Sequence, residues 1–367
     1  MTPAQITATT QLQTLTKRQH VHLTGRGTAG IFAILRAAGF LAKDVLIPAN
    51  TCYIVAWAVI ASGNRPRLVD IDPVTGNVTP SMLEAARTPT TAAIIPCHLY
   101  GIPAPMAEIC AWANTHQLLV IEDAALAVGN QAGELPCGAW GDASILSFGL
   151  GKTIDIELGG AVLTDNAPLS KEISRVLKSL PLWSTSLYKQ TRVWNDLYWA
   201  LHRCENDGLN LDRQYAALFQ QFHEIAAYQL PASYWDDLPA ASADLKNNLA
   251  HRRKLAEIYS EALKAAPVQI QQFADLSALW KYPVFVARQL REDVLDTLWN
   301  HGHHEVTCWY PSLHPMVASL LPNINQPPTP YADAWGAEVI NLPLSSNTTE
   351  IDARAIAKML AAAIEQG

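Results

Sequence analysis

Leu118-Leu119-Val120-Ile121-Glu122-Asp123-Ala124-Ala125 is an apolar run that ends in two acids. Ala143-Ser144-Ile145-Leu146-Ser147-Phe148-Gly149-Leu150-Gly151-Lys152 follows, and then Leu158-Gly159-Gly160-Ala161-Val162-Leu163-Thr164. Short apolar runs bounded by glycine and other turn-formers read as strands buried on both faces. The same reading extends outward along the chain. It predicts strands at 20–23, 45–48, 67–71, 92–96, 118–121, 143–148 and 159–164, and helices at 3–16, 31–38, 53–61, 79–87 and 104–115. Helix 53–61 is apolar nearly all round and should be buried. Helix 79–87 is expected to start on a Thr79 hydroxyl cap, with Pro80 in its first turn. Strands alternating with helices predict an α/β fold, a mostly parallel sheet with helices on both faces. A helical stretch at about 169–263 ends in an amphipathic helix at 250–264. A second α/β unit is then expected, from strands 282–287, 305–309 and 339–342 and helices 292–300 and 350–364. The predicted division is a large domain at 1–244 and a smaller C-terminal domain at 245–367.

Sheets of this class bind ligands at the carboxyl ends of their strands. Thr28, Thr51, His98, Asp123 and Ser147 all fall at or just past predicted strand ends. An acid at the end of one buried strand and a lysine just past the next are what a pyridoxal 5'-phosphate (PLP) site requires. The lysine forms a Schiff base with the aldehyde, and the acid pairs with the pyridine nitrogen. Lys152 sits in a poorly charged neighbourhood, where an ammonium loses its proton more easily. Strand geometry sends Glu122 and Asp123 to opposite sides, and Asp123, at the mouth, is expected to face the site. The Ser147 hydroxyl and the backbone amides of Thr28 and Ala29, at the start of a helix, suit the phosphate. A surface lysine in a loop and an acid capping a turn are the plainer readings of Lys152 and Asp123.

Gly25, Gly27 and Gly30 also match the dinucleotide fingerprint Gly-x-Gly-x-x-Gly, between a predicted strand and a helix. A nicotinamide dehydrogenase needs an acid at the end of the second strand to hold the ribose. Here that strand ends Ile47-Pro48-Ala49-Asn50, without one. The turn is better read as a helix N-terminus that holds a single phosphate.

The whole chain bounds the rest. Its 367 residues are 49% hydrophobic and 16% charged, which predicts a globular protein with a large core. A formal net charge of −7 argues against a nucleic-acid partner. The polar, threonine-rich segment 1–19 does not resemble a signal peptide, and no apolar run is long enough to span a bilayer. Cysteines at 52, 97, 110, 137, 204 and 308 show no zinc-ligand spacing and read as reduced thiols of a cytoplasmic protein. His301, His303 and His304 read as a polar loop, so no metal is expected.

At this point the residues resemble the DegT/DnrJ/EryC1/StrS family of sugar aminotransferases. The resemblance rests on Ser147-Phe148-x-x-x-Lys152 with Gly159-Gly160, on Ile121-Glu122-Asp123-Ala124-Ala125, and on Pro96-Cys97-His98-Leu99-Tyr100-Gly101. Gly27-Thr28-Ala29, Val69-Asp70-Ile71-Asp72 and Asn341-Leu342-Pro343-Leu344 add to it. Order and spacing match over about 20–165, and more weakly at 252–263, 310–314 and 338–344. The resemblance implies the PLP-dependent transferase fold type I and a homodimer with its active site at the subunit interface. It also implies amino transfer, usually from glutamate, to a nucleotide-linked keto sugar, as in polysaccharide biosynthesis. By position, Lys152 is then the internal aldimine lysine and proton shuttle, Asp123 the pyridine partner, and Gly27, Thr28, Ala29 and Ser147 the phosphate cradle. Cys52 and Tyr53 stand where the family places a ring-stacking aromatic, and Leu126 where it usually has Gln or His. The family's Asn-Tyr-Arg segment has only a loose echo, Gly208-Leu209-Asn210-Leu211-Asp212-Arg213. His98, Tyr100, Asn210, Tyr310 and His314 are candidate substrate contacts. A non-transaminating relative such as a dehydratase, or a degenerate binding or regulatory homologue, are the alternatives that Cys52 and Leu126 keep open.

Overall fold

The computed structural model describes residues 1–206, 209, 211–220, 223–270 and 279–366. Helix α1 (Pro3–Thr16) starts on a capping box: Thr2 Oγ1 accepts the Gln5 N–H while the Gln5 side chain accepts the Thr2 N–H. Strands β1 (His20–Thr24), β2 (Asp44–Pro48), β3 (Arg65–Val69), β4 (Thr91–Ile94) and β5 (Leu119–Asp123) alternate with helices α2 (Gly27–Ala37), α3 (Tyr53–Ala61), α4 (Pro80–Ala86) and α5 (Met106–Thr115). A two-residue hairpin, β6 (Gln131–Ala132) and β7 (Leu135–Pro136), precedes β8 (Ala143–Ser147) and β9 (Gly160–Thr164).

Among the described residues the main sheet has seven strands in the order β1-β9-β8-β5-β4-β2-β3. All neighbours pair in parallel except β9, which runs antiparallel to both β8 and β1. Strands β1, β2, β4, β5 and β8 therefore end on one edge. The predicted strands are present, with β3 displaced two residues towards the N-terminus. The sheet order is not that of the dinucleotide fold, and β1 neighbours an antiparallel strand. The three glycines serve close packing instead. A side chain on Gly25 would meet the Tyr228 carbonyl, and one on Gly30 would meet Val162 and Ile145. Helix α2 begins at Gly27 rather than at Ile31, so the turn is itself the helix N-terminus. Thr79 precedes α4, but its hydroxyl bonds Ser81 Oγ and does not cap the helix.

Helices α6 (Ala167–Lys178), α7 (Thr185–Asn206), α8 (Asp212–Gln220), α9 (His223–Ala226), α10 (Leu238–Ala243) and α11 (Leu245–Ala262) follow. A small antiparallel sheet contains β10 (Gln269–Ile270), β11 (Tyr282–Phe285) and β12 (Val339–Leu342). With α11, α12 (Arg291–Asn300) and α15 (Glu350–Gln366) it encloses a second apolar cluster that includes Leu255, Tyr259, Val284, Leu295 and Leu360. The expected strand at 305–309 is reduced to a single bridge between Thr307 and Asn341. Side chains take three of its other carbonyls: the Lys281 ammonium donates to Glu305 O, Trp299 Nε1–H to Val306 O, and the Tyr100 hydroxyl to Trp309 O. Two helices not predicted from sequence, α13 (His314–Leu320) and α14 (Pro330–Glu338), each carry proline in the first turn. They pack Met316, Val317 and Trp335 onto the core of the main sheet.

Gly160 is a tight backbone crossing near the strand ends. An added Cβ would lie 2.6 Å from Gly27 N and 2.7 Å from Leu146 O. Gly160→Ala is expected to cost about 1–3 kcal/mol or more, because both neighbours are backbone and cannot yield. Gly149→Ala, whose Cβ would meet nothing closer than 3.6 Å, should be close to neutral. Urea unfolding of the two variants measures this, and equal midpoints would show that the crossing is not tight.

Candidate active site

A cavity of about 400 Å³ opens at the common edge of the strand ends. Thr28, Thr51, His98, Asp123 and Ser147 all line it, as do Lys152, Cys52, Tyr53 and Leu126. A mostly parallel sheet explains this convergence, since each strand delivers its next residues to the same edge.

Lys152 follows a turn whose Gly151 has φ of +78°, a conformation glycine adopts without strain. Gly151 N–H donates to Asp155 Oδ2, which closes the turn. The Lys152 Nζ lies 4.7 Å from the centre of the Trp280 ring. Burial lowers its pKa from the ordinary 10.5 to about 8; Asp123 opposes the shift and Arg252 adds to it.

Arg252 holds this loop. It is fully buried on α11, and its guanidinium donates to Gly151 O (2.8 Å), Lys152 O (3.0 Å) and Trp280 O (2.9 Å) and to Asn248 Oδ1 (2.6 Å). It thereby fixes both the lysine and the ring beneath it. In the sequence Arg252 only opens a weak stretch of family resemblance, with nothing that points to this role.

Asp123 ends β5 and is nearly buried. Its Oδ1 accepts the Ala125 N–H (3.0 Å) and its Oδ2 the Cys97 thiol (3.4 Å). The Cys97 sulfur in turn lies 3.1 Å from the Thr51 hydroxyl. Burial raises the Asp123 pKa above the ordinary carboxylate value, while Ala125, Cys97 and Lys152 draw it down. Glu122 points the other way. Its carboxylate accepts Gly138 N–H, Trp140 N–H and the His98 ring, and it braces the turn before β8.

At another part of the wall, the first turn of α2 presents Gly27, Thr28 and Ala29, whose amides have no helical carbonyl to bond. Thr28 Oγ1 and Arg26 Nη1 are buried with no hydrogen-bond partner among the described residues. Ser147 Oγ accepts only a long bond from Gly149 N–H, at 3.5 Å. Orphaned donors at a helix N-terminus fit a phosphate. With an amine, a carboxylate and this cradle on one wall, the residues fit PLP. Arg26 and Trp280 were not legible as part of the site, although Arg26 stands inside the glycine turn.

The candidate substrate residues separate. Tyr310 lines the cavity, with its ring stacked 5.8 Å from Trp280. His98 is buried: its Nδ1 accepts the Ala104 N–H, and its Nε2–H donates to Glu122. Tyr100 is buried, and its hydroxyl bonds the backbone of Trp309 and Tyr310. His314 bonds Pro327 O and does not line the cavity. Asn210 lies outside the described residues. Tyr53 donates its hydroxyl to Asn195 Oδ1 and packs 4.1 Å from Tyr198, within an aromatic wall supplied by α7. His98, Glu122 and Cys137 bring ligand atoms within 4.8 Å of one another, but the histidine and the acid already serve the bonds above.

The neutral amine is the form that captures an aldehyde. With a pKa of about 8, roughly one-tenth of Lys152 is neutral at pH 7. The rate of PLP capture, followed by visible absorption against a Lys152→Ala blank, should rise about tenfold from pH 7 to 9 and then level off. A rate still climbing through pH 10 would mean an ordinary lysine.

A family model described as the DegT/DnrJ/EryC1/StrS aminotransferase family matches residues 8–198 and 241–361. A pleiotropic regulatory protein of Geobacillus stearothermophilus is 40% identical over 155 residues, 42% of each chain. The UDP-N-acetyl-3-dehydro-alpha-D-glucosamine 3-aminotransferase of Acidithiobacillus ferrooxidans is 40% identical over 164 residues, 43% of each chain. These matches span less than half the length of either relative. The fold is that of a crystal structure of DesI in the presence of its TDP-sugar product: TM-score 0.80 at 24% identity, covering 100% of this chain and 86% of that one. On the extent of the family match, this chain belongs to the DegT/DnrJ/EryC1/StrS aminotransferase family.

Proposed function

We propose that the protein is a PLP-dependent aminotransferase that moves an amino group from glutamate to a keto sugar, in nucleotide-linked form. The observation that carries this reading is the meeting of Lys152, Asp123 and the α2 cradle in one cavity. Aminotransferases of this family use PLP, and the named aminotransferase relative acts on a nucleotide-linked dehydro sugar. We further propose a cytoplasmic homodimer and a division of the chain at 1–244 and 245–367; the second apolar cluster supports the division. Among the described residues no helix is long and apolar enough to cross a membrane.

When bound, PLP supplies an aldehyde that takes up the amino group and a ring that withdraws electrons from the reacting carbon. Asp123 would hold the proton on the ring nitrogen, with its carboxylate kept in place by Ala125 and Cys97. Gly27, Thr28, Ala29 and Ser147 would hold the phosphate. Lys152, with its pKa near 8, would carry the proton between the substrate α-carbon and the cofactor's aldehyde carbon, as base and then as acid. Arg252 holds the Lys152 carbonyl and so limits where the amine can reach. Cys52, Tyr53 and Leu126 would meet the ring, and Tyr310 the substrate.

A binding or regulatory role is the second reading. It is favoured by Cys52 and Leu126 and by the name of the Geobacillus relative. The visible spectrum with added PLP separates the two. In the wild type we expect a yellow band that glutamate converts to the amine form of the cofactor, and 2-oxoglutarate formed with some members of a keto-sugar panel. Lys152→Ala should lack the band and lose at least about 10²–10⁴-fold in turnover, and Asp123→Asn should also be strongly impaired. A band that glutamate leaves unmoved would sink transamination from that donor.

A further inference from the structure

We propose that Arg26 is the cation of the phosphate cradle. This rests on the reading of the cavity as a PLP site, and it assigns a role that neither the family motif nor the sequence pattern gives. Arg26 occupies the N-cap position of α2, where short polar residues are preferred, and its own side chain makes no cap. Its backbone is extended and locked on both sides. Arg26 O accepts the Thr24 hydroxyl (2.8 Å), and Arg26 is bridged to Gly159 beside the close crossing at Gly160. This residue therefore cannot turn its side chain away by moving its backbone. Arg26 lines the cavity together with Gly27, Thr28 and Ser147. Its Nη1 is buried without a hydrogen-bond partner, and the side chain forms no ion pair among the described residues.

Three further observations converge on an anion. Thr28, only 1% exposed, has an orphaned hydroxyl in the same wall. The first-turn amides of α2 are unbonded within the helix. Helix α2 carries no acid in its first turn that would neutralise the guanidinium. A guanidinium on a partly buried side chain whose Nη1 is shut away from water without a partner is unfavourable until an anion meets it, and a phosphate accepts from guanidinium with defined geometry. Asp123 and Glu157, the two carboxylates on the cavity wall, lie beyond ion-pair distance from it.

The test compares two ligands that differ only in the phosphate. Affinities of PLP and of pyridoxal for the apoprotein are measured by absorption titration in wild type, Arg26→Gln and Arg26→Lys, with circular dichroism as a check of folding. We expect Arg26→Gln to weaken PLP about 10- to 100-fold and to leave pyridoxal unchanged, with Arg26→Lys in between. Equal losses for both ligands would make Arg26 a structural residue and overturn the proposal. So would a PLP affinity unchanged in Arg26→Gln. A wild type that captures neither ligand would overturn the PLP reading itself, a result distinct from either of these.

Discussion

An amine can work as a base in an apolar cavity only if its charged form is held at a disadvantage and its position is fixed. Burial provides the first condition for Lys152. Arg252 provides the second, by bonding the carbonyls of Gly151, Lys152 and Trp280 from the opposite side of the loop. That guanidinium is itself buried, with carbonyls and an amide oxygen as partners in place of a carboxylate. Its charge is therefore left largely uncancelled, and it adds to the lowering of the lysine pKa. One residue of α11 thus links the small sheet, through Trp280, to the loop that carries Lys152.

The anion side of the cavity depends on a different constraint, the close approach of backbones. Gly160 lets β9 pass against the start of α2, and Gly30 lets the helix settle on Val162 and Ile145. The helix N-terminus then sits beside the end of β8, where Ser147 emerges. Acid, amine and cradle come from β5, the loop after β8, and the β1–α2 turn. They meet because the strands that deliver them end on one edge.

The remaining wall of the cavity is built and backed by aromatic rings. Helix α7 brings Trp194, Asn195 and Tyr198 against Tyr53. Tyr310 continues from Trp280 into a stack with Tyr100 and Trp335. Tyr53, Trp280, Trp309 and Tyr310 face the cavity, while Tyr100 and Trp335 back them from the core.

Sequence by itself determined the strand–helix alternation, the glycine turn ahead of α2, and the placing of Asp123 at the end of one strand with Lys152 just past the next. Those features are local: hydrophobic period, turn chemistry, and the side of a strand on which a residue falls. It also separated Asp123 from Glu122 correctly in direction, because successive strand residues face opposite ways. Tertiary structure alone decided what depends on distant partners. His98 and Tyr100 look like substrate contacts in a polar motif, but their polar atoms are claimed by Ala104, Glu122 and the Trp309–Tyr310 backbone. The segment 305–309 reads as a strand, yet side chains from elsewhere take its carbonyls. The roles of Arg252, Trp280 and Arg26 have no local signature, since what an interior cation or ring does is set by the groups that surround it in space.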